Sequence, residues 1–205
     1  TGSAGTIGHG LNAVPEMIIV KNREHSYDWY VYHKYIDSSI PQNKFLKLND
    51  TSTVSDSTNA WNDTAPTSSV FSVKGGPTAY QDANHIAYCF APVAGFSAFG
   101  SYEGGSNPFI YTGMRPAWVM IKRYDDTSES WVIFDTKRNP HNKTVSRLFP
   151  DLTNAESDNT SHYIDILSNG FKVRSTGGLL GASGDSYLYA AFAENPFQAN
   201  GGLAR

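Results

Sequence analysis

Pro116-Ala-Trp-Val-Met-Ile-Lys122 is a stretch the chain carries twice, and the earlier copy is Pro15-Glu-Met-Ile-Ile-Val-Lys21. In each, a proline stands at the head of an apolar run and a lysine closes it. After a polar gap comes a tryptophan-led segment, Trp29-Tyr-Val-Tyr32 in the first copy and Trp131-Val-Ile-Phe134 in the second. Val70-Phe-Ser-Val73 then answers Gly170-Phe-Lys-Val173. His85-Ile-Ala-Tyr-Cys-Phe-Ala91 answers Tyr187-Leu-Tyr-Ala-Ala-Phe-Ala193. The order is kept and each displacement is about 100 residues, the signature of an internal repeat.

The repeated segments read as strands. Residues 16–21 and 117–123 are apolar runs whose lack of polar breaks suggests that both faces are covered. Pro15 stands just before its run, where a missing N–H costs no ladder bond. Residues 28–34 and 130–135 are aromatic and β-branched, as strands prefer. Each pairs with the preceding run as a hairpin, with a loop longer than the tight two-residue kind. Further strands are expected at 70–74, 84–91, 163–167, 171–174 and 186–193, an edge strand at 44–48, and a connecting strand at 96–102. Residues 145–149 fit either a strand or one helical turn. Ser168-Asn169-Gly170 is a turn signal, and residues 177–184 read as a flexible tip. Residues 49–69 form a long polar loop, a length that a compact domain orders by its own contacts or puts to use. No stretch sustains a 3.6-residue apolar period. The expected fold is all-β, an antiparallel β-sandwich built from two internally repeated units, residues 1–95 and 96–205. Trp29, Trp131, Phe71, Phe171, Phe90 and Phe192 recur at paired positions and are expected in the cores.

Composition narrows the function. Of 205 residues, 17% are charged and 40% hydrophobic, and the net charge is −3. No basic block supports nucleic-acid binding, and no apolar run approaches the ~20 residues of a membrane-spanning helix. Thr1 reads as the start of a fragment of something longer. Cys89, the single cysteine, permits no intrachain disulfide and reads as a small buried hydrophobe.

The six histidines lack the spacing of metal ligands. The acidic loops Asp125-Asp126 and 56–63 lack the glycine and distal glutamate of an EF-hand, so no metal and no cofactor is expected. Glu103, Asp135 and Asp165 are carboxylates available for glycoside cleavage, but nothing singles out a pair. No Gly-x-Ser-x-Gly elbow occurs, and no Lys-Ser/Thr follows the glycine pairs as in a phosphate loop. No catalytic residues are assigned. Aromatics make up 13% of the chain, and most fall on strands. Trp61 stands apart in a polar loop beside Asn62 and Asp63. A flat apolar ring flanked by amide and carboxylate groups is what a sugar site uses. The alternative is an indole that anchors its loop into the end of the sandwich.

Several of these segments resemble a domain common in tailed phages of marine and other aquatic bacteria. In the first half they are His9-Gly-Leu, Val14-Pro-Glu-Met-Ile-Ile-Val-Lys-Asn22, Asp28-Trp-Tyr-Val-Tyr32, Trp61-Asn-Asp-Thr-Ala-Pro66 and Ile86-Ala-Tyr-Cys-Phe-Ala91. In the second they are Phe109-Ile-Tyr-Thr-Gly113, Arg115-Pro-Ala-Trp-Val-Met-Ile-Lys122, Leu167-Ser-Asn-Gly-Phe-Lys-Val173 and Ala191-Phe-Ala-Glu-Asn-Pro-Phe197. The resemblance runs from about residue 6 to residue 197 and concerns a domain of unknown function. It implies a virion setting, in a tail fibre or receptor-binding protein, and supplies no catalytic residues. The expectation is a non-enzymatic structural module that contacts host surface glycan or neighbouring virion subunits. The alternatives are a capsid decoration or fibre-forming protein and a glycan-cleaving enzyme. One copy lacks a counterpart of strand 96–102, so residues 1–7 or the tail 199–205 are expected to pair with a neighbouring subunit in a homo-oligomer.

Overall fold

The computed structural model describes residues 3–79, 83–125, 129–158 and 160–195. The chain is all-β, with several antiparallel sheets. It divides into two compact units, Thr1–Ala91 and Pro92–Arg205, so the division falls ahead of residue 95.

The first unit holds β1 (Gly5–Gly8), β2 (Met17–Asn22), β3 (Trp29–His33), β4 (Lys44–Lys47), β5 (Ser55–Asp56), β6 (Val70–Val73) and β7 (His85–Phe90). A five-stranded sheet runs β5-β4-β3-β2-β7, and β1 pairs separately with β6. The β2–β3 hairpin sets Met17 opposite His33 and Lys21 opposite Trp29. Its turn is fixed by Asn22, whose Oδ1 accepts from the N–H groups of Glu24 and His25, both at 2.9 Å. Side chains alternate across a strand, so Ile18, Val20, Tyr30 and Tyr32 share one face with Phe45, and Phe71 and Val73 of β6 pack against them. The 44–48 strand is not an edge, because β5 pairs outside it, with Phe45 opposite Ser55. Residues 5–8 pair within the chain, with Ile7 opposite Phe71.

The second unit holds β8 (Ser97–Glu103), β9 (Phe109–Tyr111), β10 (Pro116–Arg123), β11 (Val132–Asp135), β12 (Ser146–Arg147), β13 (Ser157–Asp158), β14 (Ile164–Leu167), β15 (Gly170–Val173) and β16 (Ser186–Ala193). One sheet runs β11-β10-β16-β8, a second β14-β15-β9, and β12 pairs with β13. Val119, Ile121, Val132, Phe134, Tyr187 and Tyr189 of the first sheet meet Ile110, Ile164, Ile166, Phe171 and Val173 of the second in one core. The connecting strand takes the expected place, as β8, with Tyr102 opposite Tyr187. Within 145–149 the chain is extended at β12, and Leu148 bridges to Ile133.

Two further expectations need correction. The 177–184 segment is not a loose tip. Leu179 and Leu180 are buried in the core, the Tyr102 hydroxyl donates to the Leu180 carbonyl at 2.8 Å, and the Tyr187 hydroxyl donates to the Gly178 carbonyl at 2.7 Å. Of the six paired aromatics, Trp131, Phe71 and Phe171 are buried, whereas Trp29, Phe90 and Phe192 are half-buried. The residues that enter the two cores are 30 and 32 on β3, 87 and 89 on β7, and 187, 189 and 191 on β16, although the opposite face also holds buried residues, Val31, Leu188 and Ala190. Each half-buried ring is one residue out of phase and points the other way.

Candidate functional site

Trp61 is 1% exposed. Its Nε1–H donates to the Lys44 carbonyl at 3.0 Å, and its ring meets Tyr32 edge-on, centroids 5.7 Å apart. A ring with no free face cannot stack on a sugar, so the loop-anchor alternative describes it, and the saccharide reading of Trp61 is withdrawn. Asn62 and Asp63 follow in left-handed backbone, φ 53° and 45°. That is turn geometry, which Asn and Asp tolerate better than most residues. Asn62 is half-buried and Asp63 exposed, and neither is brought to the Trp61 ring as part of a shared site. Nearby, a hollow of about 380 Å³ is lined by Ile40, Asn43, Asp56, Ser57 and Thr58. Its one carboxylate, Asp56, is already bonded to Lys44 Nζ.

The three candidate carboxylates do not converge. Glu103 closes β8, Asp135 closes β11 and Asp165 lies on β14 of the other sheet. Asp165 is paired with Arg174 Nε at 2.8 Å. Burial alone would raise the Asp135 carboxyl, but the Arg138 and Lys137 N–H groups and the Arg138 guanidinium outweigh it and hold the group below the usual carboxylate range. A glycosidase acid needs the opposite shift. Cys89 is half-buried beside the first core, and burial pushes its thiol up to about 11, away from the thiolate that a nucleophile requires. Among the described residues no group of three or more His, Cys, Asp or Glu is placed to hold a metal ion. Asp126 of the acidic pair lies outside the described residues, as does the 199–205 tail. No helix among the described residues is long and apolar enough to cross a membrane.

Arg123 and Arg147 are the most buried cations after Lys122. Arg123 is structural: its Nε donates to Asp125 at 2.8 Å and its Nη1 lies 2.9 Å from Asp185, tying the start of β16 to the end of β10. Arg147 lies over the Phe149 ring at 5.3 Å. Its Nε and Nη1 have no hydrogen-bond partner, but both are shut off from solvent and open to no ligand.

The surface best suited to contact is on β9. Ile110 enters the core, so parity turns Phe109 and Tyr111 outward, 47% and 67% exposed. Phe109 lies opposite Lys172, and Tyr111 opposite Gly170. A Cβ on Gly170 would sit 2.1 Å from the Ile110 carbonyl oxygen and 3.1 Å from Phe109 Cε2, so its lack of a side chain gives β9 and the Phe109 ring room to approach. Gly113, at φ +73°, has Tyr111 Oη 3.6 Å and ring carbons 3.8 Å from its missing Cβ, so the Tyr111 ring lies along bare backbone. On the same face Asp165 stands opposite Lys172 from β14. Large exposed aromatics on an ordered strand, beside the charged Lys172 and Asp165, are suited to docking. Parity on β9 identifies them once the strand is recognised, but three residues are too few for its alternation to show in the sequence.

The family model described as Domain of unknown function (DUF7483) matches residues 1–196. No curated protein and no solved structure matches the chain.

Proposed function

The chain belongs to the Domain of unknown function (DUF7483) family, and from the resemblance of its motifs to a tail-associated phage domain we propose that it is a non-enzymatic structural module of a phage virion. Its place is a tail fibre or receptor-binding protein, where it contacts host surface glycan or neighbouring virion subunits. The observation that carries the contact part of this reading is the Phe109–Tyr111 face: large rings held outward by a paired strand, rather than gathered round a cavity. The ion-paired and dispersed carboxylates weigh against the glycan-cleaving alternative.

The architecture belongs to the same proposal: an antiparallel sandwich built from two internally repeated units. Sheet order β3-β2-β7 in the first unit parallels β11-β10-β16 in the second, and β1-β6 parallels β9-β15. The two ladders also agree, since Ile7 faces Phe71 as Ile110 faces Phe171. The homo-oligomer rests on the difference between them, a strand beyond β16 but none among the described residues beyond β7.

Incubating the purified chain with host envelope polysaccharide, then measuring retained protein and new reducing ends, tests the reading. Retention without new reducing ends is expected. Sugar release that one carboxylate substitution abolishes would overturn it in favour of the enzyme.

A further inference from the structure

Building on the glycan-contact reading above, we propose that the outer face of the β14-β15-β9 sheet binds an acidic saccharide, with Phe109 and Tyr111 stacked on its pyranose rings and Lys172 Nζ paired with its carboxylate or sulfate. The size of the face selects the occupant. Three strands at ~4.8 Å spacing, each of about four residues at ~3.3 Å, give a face of roughly 14 by 13 Å, or about 190 Å². A stable protein partner needs ~800 Å² on each side. One or two sugar rings fit the smaller area.

The chemistry agrees with the size. A pyranose presents a face of C–H groups bearing slight positive charge, which the negative face of an aromatic ring attracts. Both rings lie beside glycines, Phe109 against Gly170 and Tyr111 along Gly113, which leaves ring surface facing solvent. Charge then narrows the sugar class. Three charged side chains share the sheet's outer side, and two cancel, since Asp165 is paired with Arg174 at 2.8 Å. Lys172 makes no ion pair with a described residue, and in the ladder it lies directly opposite Phe109. A sugar stacked on that ring therefore meets an uncommitted ammonium group at its edge. An exposed ammonium adds only modest attraction, and salt screens it. The rings accordingly carry affinity, and Lys172 carries the preference for negative charge.

Isothermal titration with three oligosaccharides tests the assignment: tetragalacturonate (carboxylated), a carrageenan tetrasaccharide (sulfated) and an agarose tetrasaccharide (neutral). Each is titrated at 0.05 M and 0.5 M salt into the whole chain and into Phe109→Ala, Tyr111→Ala and Lys172→Gln. Ile7→Ala in the first unit serves as a control, and thermal melting checks that each variant folds. At least one acidic sugar should bind more tightly than agarose tetrasaccharide and lose affinity at high salt. Each aromatic substitution should weaken it at least fivefold, and Lys172→Gln should remove both the acid preference and the salt dependence. The two acidic arms distinguish carboxylate from sulfate. Binding that survives both aromatic substitutions overturns the site while leaving the glycan-contact reading intact. Equal affinity for agarose overturns the role of Lys172. Failure of the folded whole chain to bind any of the three overturns the site, and failure also to bind host envelope polysaccharide overturns the underlying reading.

Discussion

At Trp61 an indole in a polar loop turns inward and packs in the core of its unit. Trp61→Ala is expected to cost about 3–5 kcal/mol, as deletions of large buried aromatics do. Trp61→Phe keeps most of the packing but strands the Lys44 carbonyl that accepts from Nε1–H, a loss of about 1–3 kcal/mol. Urea unfolding measures both, and a cost below about 1 kcal/mol for the alanine would place the ring at the periphery. Asp151 gives a pH signature. Burial raises its carboxyl above the usual range: both its oxygens are shut off from solvent without a well-formed hydrogen bond, and the Lys122 ammonium does not offset this. The folded state therefore holds this proton more tightly than the unfolded chain, whose group titrates near 3.8. The contribution to stability is full below that pH and is lost as pH rises through the folded value. Asp151→Asn, always neutral, should be more stable than the parent at pH 7, with the difference shrinking toward pH 3. A difference independent of pH would refute the assignment. Neither behaviour was legible in the sequence: next to Asn62 and Asp63 the same Trp serves a sugar site or an anchor, and burial alone decides.

Elements were more legible than residues. The β2–β3 and β10–β11 hairpins follow from apolar runs bounded by polar turns, and the antiparallel ladders pair them so. What holds the first turn is Asn22, buried, with Oδ1 accepting from two amides. Asn22→Ala should cost about 1–3 kcal/mol by leaving those donors unpaired. Asn22→Asp, which retains the acceptor, should cost less, as measured by chemical unfolding. Equal costs would mean the turn does not depend on that oxygen. The short elements were harder to read. β5, β12 and β13 have two residues each, too few for a period-2 pattern to register. β1 is Gly5-Thr6-Ile7-Gly8, whose glycines disguise a strand that only its pairing with β6 defines. In 177–184 the glycines suggested mobility, while the Leu179-Leu180 pair between them was the apolar signal for burial.

On the scale of the molecule, the ordered recurrence of four segments pointed to two β units, and the chain divides between Ala91 and Pro92. The recurrence also left the first copy without a counterpart of strand 96–102. β8 continues the sheet beyond β16, whereas no strand among the described residues continues it beyond β7, where Ile86 and Tyr88 are exposed. An open edge offers unpaired N–H and C=O groups to another chain. Light scattering at rising concentration should therefore report a mass above that of one chain, and Ala87→Pro on β7 should lower it. A monomer at every concentration, or assembly indifferent to that substitution, would remove the oligomer from the proposal. The most direct test of the virion proposal is immunogold electron microscopy of intact phage particles released by cultures whose DNA encodes the chain, with antibody raised against the chain. Label concentrated on the tail or its fibres is the predicted result. Label absent from intact particles and confined to infected-cell lysate would contradict it.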